Sequence, residues 1–320
     1  MKPEKISIVV PCYNEQEVLP ETAARLLAFM DKLVNSSKIL PESNIWFVDD
    51  GSRDRTWSMI EALSAQHPNV RGIKLSRNRG HQNALMAGLF NADGDAIVSI
   101  DADLQDDINA IEAMVDHYAS GADIVLGVRH KRNTDTFFKR FTAFAFYRTM
   151  KSFGAESVDN HADFRLMSRR SVDALMKYRE TNLFLRGIVP LIGFRTEIVT
   201  YDRSERFAGE SKYPLKKMIS FALDGITSFS VTPLRFITLL GFLVFVLTVI
   251  LSAWVIWVRW FTNVAIPGWT STVLPLFFIG GIEILCLGVI GEYLGKIYIE
   301  IKDRPRFNID KTARHDVIKA

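Results

Sequence analysis

Ala96-Ile97-Val98-Ser99-Ile100-Asp101-Ala102-Asp103-Leu104-Gln105-Asp106 is the stretch on which the reading of this chain turns. Its first half is a short apolar run rich in β-branched residues, bounded by polar ones, which is the pattern of a buried strand. Two carboxylates follow, one residue apart, at what should be the strand's carboxyl end. Open α/β sheets bind their ligands outside the carboxyl ends of the strands. Like charges held this close repel one another, so their pairing needs a reason. A hard divalent cation bridging to a diphosphate supplies one, because Mg²⁺ and Mn²⁺ favour carboxylate, water and phosphate oxygens. The stretch therefore reads as the site of a nucleotide whose diphosphate carries a leaving group.

Working outward, strand patterns fall at 6–10, 45–48, 70–75, 96–100 and 123–128, with helical patterns near 16–34, 54–66, 81–92 and 107–119. This alternation predicts a mostly parallel, Rossmann-like sheet with helices on both faces. Neither G-x-G-x-x-G nor a P-loop is present, so polar clusters at the strand ends must do the binding. The first is Pro11-Cys12-Tyr13-Asn14-Glu15. Here Pro11 fixes the turn, Tyr13 offers a face to a base, and Glu15 can accept from base or ribose. The second is Asp49-Asp50-Gly51-Ser52-Arg53-Asp54, with Asp50 aimed at a uracil or ribose donor and Asp54 a possible helix cap. The third, Ser76-Arg77-Asn78-Arg79-Gly80-His81-Gln82-Asn83, opens a helix whose N-terminus could help hold an anion.

The chain has 320 residues, a formal net charge of +3 and 48% hydrophobic residues. That charge is too mild to suggest a nucleic-acid binder. The length suits one catalytic domain with something smaller. Cys12 and Cys286 show no zinc or disulfide spacing, and the N-terminus runs into a strand without a signal-peptide core. Between 129 and 155, basic residues interleave with aromatics, from Arg129 and Phe137 to Arg148 and Lys151. Such a helix reads as lying in a membrane interface, the alternative being a surface helix packed on the core. Residues 214–233 read as a second one, with Lys216 and Lys217 near anionic headgroups. No charge interrupts 236–258, and 273–294 is apolar except for Glu283 and Glu292. At 1.5 Å per residue each can cross a hydrocarbon layer of about 30 Å. Both flanks of this hairpin are basic and its linker, 260–272, has no Lys or Arg, so both termini and the catalytic domain are expected in the cytoplasm.

The strand-end clusters followed by Asp-x-Asp resemble family-two glycosyltransferases of the GT-A fold. Asn160-His161-Ala162-Asp163-Phe164-Arg165, Arg206-Phe207-Ala208-Gly209-Glu210-Ser211-Lys212, and Gly291-Glu292-Tyr293-Leu294-Gly295-Lys296 with Arg304-Pro305-Arg306 narrow the resemblance to polyisoprenyl-phosphate glycosyltransferases. Within these it is similar to bactoprenol glucosyltransferases of the GtrB type. Dolichyl-phosphate mannose synthase and the undecaprenyl-phosphate aminoarabinose transferase are more distant relatives. The resemblance implies that Asp101, Asp103 and Gln105 hold Mg²⁺ or Mn²⁺ and the donor diphosphate. Pro11, Tyr13, Glu15, Asp50 and Asp101 would bind the nucleotide sugar, and Asp163, with Asp103, would serve catalysis. Arg129, Arg140, Arg206, Ser211 and Lys212 would meet the acceptor phosphate.

The implied domain organisation is a catalytic domain at 1–213, the juxtamembrane helix at 214–233, two membrane helices within 234–296, and a basic tail at 297–320. The implied reaction is inverting transfer of a sugar, glucose from UDP-glucose, to undecaprenyl phosphate for cell-envelope glycan (O-antigen) modification, by a membrane-embedded homo-oligomer, a tetramer. UDP-N-acetylglucosamine, UDP-galactose and GDP-mannose are the alternative donors. A processive polysaccharide synthase is disfavoured by the lack of Q-x-x-R-W and by only two spanning segments. A non-catalytic scaffold would not need the intact acid set.

Overall fold

The computed structural model describes residues 3–129, 161–179, 185–202 and 268–315, with isolated positions between 237 and 257. The chain divides into two compact units. The first comprises Met1–Tyr147, Glu156–Pro214 and Asp303–Ala320; the second comprises Arg148–Ala155 and Leu215–Lys302.

The first unit is built on β1 (Ile6–Cys12), β2 (Asn44–Asp49), β3 (Val70–Leu75), β4 (Ala96–Ser99) and β5 (Ile124–Arg129). Between them run α1 (Leu19–Asn35), α2 (Thr56–Gln66), α3 (His81–Asn91) and α4 (Ala110–Ala119). β1, β2 and β4 are buried along their whole length, as expected of parallel strands covered on both faces. α1 shows why the intervening segments are helical. Leu19, Ala23, Leu26, Met30 and Leu33 recur at helical spacing and are its buried stripe, Pro20 sits in its first turn, and Lys32 lies in its last.

Three further strands complete the sheet: β6 (His161–Ser168), β7 (Thr196–Tyr201) and β8 (Ile309–Ala313). Helices α5 (Arg169–Met176) and α6 (Leu185–Leu191) lie between β6 and β7. The order is β7-β5-β6-β4-β1-β2-β3-β8. β6 is antiparallel to both β4 and β5, and β8 is antiparallel to β3, while the other pairings are parallel. The reversal of β6 matters most. It puts the start of β6, with Asp163, at the same end of the sheet as the carboxyl ends of β1, β2, β4, β5 and β7.

The segment read as a basic tail behaves differently from that expectation. Part of it returns to the first unit as β8, pairing Gly72 with Ala313 and Lys74 with Lys311. Arg314 stacks on one side of buried Trp46 at 5.6 Å, and Arg71 also lies over that ring at 5.2 Å. Backbone pairing and this cation–π contact are what a charge-based reading of the tail overlooks.

In the second unit, α7 (Gly268–Ile301) carries the second apolar run, with Pro275 inside it. Among the described residues, no helix is long and apolar enough to cross a membrane. The first arm of the hairpin expected from the sequence falls almost wholly outside those residues. Most of 236–258, both expected interfacial helices, and Arg140, Arg206, Ser211 and Lys212 lie outside the described residues.

Candidate active site

All the residues of the site belong to the first unit. One side of it is built where the loops after β1 and β2 bind each other. Asn14 N–H donates to Ser52 Oγ at 2.9 Å, and Arg53 N–H donates back to Asn14 Oδ1 at 2.9 Å. Asp54 accepts from Thr56 N–H and Oγ–H at the start of α2, and from Gln16 N–H at 3.2 Å. It thus satisfies the first N–H of α2 from one residue outside the N-cap, Arg55, rather than as the cap itself, and ties the two loops together. Pro11 is buried in β1, Glu15 is half-buried, and the Tyr13 ring is exposed. Asp50 is buried, with one oxygen accepting from Arg79 N–H at 2.7 Å and the other from Gly80 N–H at 2.8 Å. Its carboxylate anchors the loop after β3. Gly51 makes this approach possible, since a Cβ there would lie 2.6 Å from the Arg77 carbonyl carbon and φ is +66°.

The loop after β4 carries the paired acids. Leu104 has φ +56°, a left-handed conformation that turns the chain between Asp103 and Gln105. Gln105 N–H donates to Asp103 Oδ1 at 3.2 Å, and Thr22 Oγ–H of α1 donates to the Ala102 carbonyl at 2.8 Å. Burial, and then the charges of Asp106, Asp163 and Asp103, push the Asp101 carboxyl up to about 6, against the opposing pull of His81.

Asp163 sits across the cleft near the start of β6, its place set by Ser99 Oγ–H donating to the Asp163 carbonyl at 2.5 Å. Oδ1 of its carboxylate accepts from Arg165 Nη2 at 2.6 Å, and Oδ2 accepts from Arg186 Nη2 at 3.3 Å. Arg165 is fully buried, two residues along the strand and so on the same face of the sheet. His81 Nε2 lies 3.4 Å from Asp101 Oδ1 and 3.7 Å from Asp163 Oδ2, joining the two acids. Burial alone would raise the Asp163 carboxyl, but Arg165, Arg186 and His81 together hold it down at about 2. Two carboxylates linked through one imidazole thus have opposite tendencies, a pattern that separates chemical roles.

Arg129, at the end of β5, has a partner. Its Nη2 donates to Asp106 Oδ1 at 3.1 Å and its Nε to the Tyr201 hydroxyl at 3.1 Å, while that hydroxyl donates to Asp106 at 2.5 Å. Tyr201 ends β7 and meets Phe164 edge-on at 5.2 Å. The acid loop is thereby tied to the ends of β5 and β7.

The structure brings together Asp101, Asp103, Gln105 and Asp163, and places Arg129 beside Asp106. It adds His81, Asp106, Arg165, Arg186 and Tyr201, which the sequence reading did not single out as site residues. His81 and Arg165 lay within quoted segments, and Arg165 stands two places from Asp163; nothing local pointed to Arg186 or Tyr201. Among the described residues, no three His, Cys, Asp or Glu side chains could hold a metal ion by themselves.

A buried acid cluster at the carboxyl ends of a mixed α/β sheet, faced by arginines, suits a transferase of phosphate-bearing substrates. Residues 7–176 match the profile of "Glycosyl transferase family 2". The chain is 52% identical to the uncharacterized glycosyltransferase YkoT of Bacillus subtilis, over 95% of this chain and 91% of that protein. It is 40% identical to the SfII prophage-derived bactoprenol glucosyl transferase of Shigella flexneri, over 97% of this chain and 99% of the relative. Among solved structures, mannosyl-3-phosphoglycerate synthase from Rubrobacter xylanophilus aligns with a TM-score of 0.47 and 14% identity, covering 84% of this chain and 80% of that one. The chain belongs to glycosyl transferase family 2, and is a glycosyltransferase.

Proposed function

We propose that this enzyme transfers glucose from UDP-glucose to undecaprenyl phosphate, with inversion, at the cytoplasmic face of the membrane. The near full-length identity to bactoprenol glucosyl transferases supports the acceptor and the sugar. The observation that carries the mechanism is the pairing of Asp163 with Arg165 and Arg186, which holds its carboxyl at about 2. A carboxylate held there is a poor proton acceptor at neutral pH. A phosphomonoester acceptor needs no such base, because its second pKa is about 6 and its oxygen is mostly ionised already. Asp163 then acts by position and charge, orienting guanidinium groups around the reacting phosphate.

The acid loop fits a divalent cation. Burial, and after it the charges of Asp106, Asp163 and Asp103, raises Asp101, and a cation there would offset both the lost hydration and the repulsion. Asp101, Asp103 and Gln105 would hold Mg²⁺ or Mn²⁺, the donor's phosphate oxygens and water completing its shell. Bound there, the ion supplies Lewis-acid stabilisation of the departing nucleoside diphosphate. Tyr13 would stack on the base, beside Glu15 and Pro11, with Asp50 holding the loop that closes this side. The apolar segments at 236–258 and 273–294 and the basic amphipathic stretches would keep the enzyme at the lipid surface, as a homo-oligomer acting in cell-envelope glycan modification.

The test is transfer of radiolabel from UDP-glucose to undecaprenyl phosphate by the purified full-length chain with Mn²⁺ or Mg²⁺. UDP-N-acetylglucosamine, UDP-galactose and GDP-mannose are run beside it. The expected product is a singly glycosylated lipid from UDP-glucose, abolished by Asp103→Ala. Labelled lipid from another donor alone would move the sugar assignment, polymer would indicate a processive synthase, and no labelled lipid from any donor would overturn the reading.

A further inference from the structure

Asp163 has more positive charge around it than its own neutralisation requires. Arg165 is 1% exposed and meets Oδ1 at 2.6 Å, so one buried guanidinium already balances the carboxylate. Arg186 is a second guanidinium, on α6, with a side chain 37% exposed. Among the described residues its one hydrogen bond is the 3.3 Å contact from Nη2 to Asp163 Oδ2. A guanidinium has five N–H donors in a rigid fork, so most of Arg186's donor capacity is available to a ligand.

The order of groups across the cleft says which ligand. Asp101 faces His81 at 3.4 Å, His81 faces Asp163 at 3.7 Å, and Asp163 faces Arg186 at 3.3 Å. The donor diphosphate belongs at the Asp101 end, where the paired acids stand. Direct displacement brings the attacking oxygen to the anomeric carbon from the side opposite the leaving diphosphate. In this succession of contacts Arg186 is the member furthest removed from the paired acids, and with its side chain 37% exposed it is the guanidinium left to meet an acceptor. On the reading that the acceptor is a polyisoprenyl phosphate, we infer that Arg186 binds the acceptor's phosphate, and that Asp163 holds its guanidinium in place for that contact. Arg186 is then a substrate-binding residue, and Asp163 is a positioning residue for it.

The test uses the full-length enzyme and three variants, Arg186→Ala, Arg186→Gln and Arg186→Lys. Glutamine can still donate a hydrogen bond to Asp163 but carries no charge; lysine keeps the charge without the fork. A charge-assisted phosphate contact is worth about 10- to 100-fold in binding. Arg186→Ala and Arg186→Gln should both raise the KM for undecaprenyl phosphate by about that factor, with Arg186→Lys in between and the UDP-glucose KM moving by less than about threefold. The fall in acceptor KM as pH rises through about 6, where the phosphate becomes dianionic, should flatten in the uncharged variants. Binding of farnesyl phosphate without donor, followed by calorimetry, should weaken in parallel. If Arg186→Gln restores the wild-type acceptor KM, or if the donor KM shifts instead, Arg186 is not the acceptor ligand even though the transferase reading stands. A wild-type enzyme that neither glucosylates undecaprenyl phosphate nor binds farnesyl phosphate would remove that reading, and this assignment with it.

Discussion

Replacing Asp163 by asparagine keeps the shape of the side chain and deletes its charge. The ordinary aspartate value is 3.8, and the two arginines with His81 bring Asp163 to about 2. For a group whose side chain is 10% exposed, that difference corresponds to about 2 kcal/mol of folding stability at neutral pH. Removing the charge also leaves Arg165 buried without a counter-ion, and breaking a buried pair costs about 3–5 kcal/mol. The asparagine carbonyl can still accept from one guanidinium, so the expected loss is about 2–4 kcal/mol. Because the folded pKa is depressed, Asp163 stabilises the fold fully above about pH 4, and this contribution fades as pH falls toward about 2. The gap between wild type and Asp163→Asn should therefore be full at pH 7 and reduced to about half its linkage part at pH 3. Urea unfolding of the purified full-length chain at both pH values measures it. The same variant should transfer sugar more slowly without losing the acid limb near pH 6, because that limb belongs to the acceptor phosphate. Equal stabilities at pH 7, a gap that does not narrow on acidification, or disappearance of the limb would each refute the reasoning.

Two other outcomes follow from the same geometry. With Asp101 raised to about 6, protons should compete with Mn²⁺, so metal affinity in the presence of UDP should fall about fourfold from pH 7 to pH 5.5; calorimetry reads this, and Asp101→Asn should remove the dependence along with most of the binding. Gly88→Ala should destabilise the first unit by about 1–3 kcal/mol, since a Cβ there would meet Val9 Cγ1 at 2.2 Å and Val48 Cγ2 at 2.9 Å where α3 packs on β1 and β2; a thermal melt unchanged from wild type would show that the helix can shift to make room.

The chain order by itself determined the five alternating strands from β1 to β5, the four helices between them, and the Asp101–Asp103 pair at a strand end. Those features are local: buried parallel strands announce themselves as short apolar runs, and helices as periodic stripes. The family likewise followed from contiguous motifs. Tertiary structure alone decided the reversal of β6 between β4 and β5, which delivers Asp163 to the acid loop, and the return of β8 to the free edge of β3. It also decided the partners. Asp50 proved to be engaged by two backbone amides, Arg129 by Asp106 and Tyr201, and Asp163 by Arg165 and Arg186. A charge's role depends on what lies within a few ångströms of it and on how well water is kept away. Residues 82 or 95 positions apart in the chain, such as His81 with Asp163 and Asp106 with Tyr201, meet only after the sheet has formed.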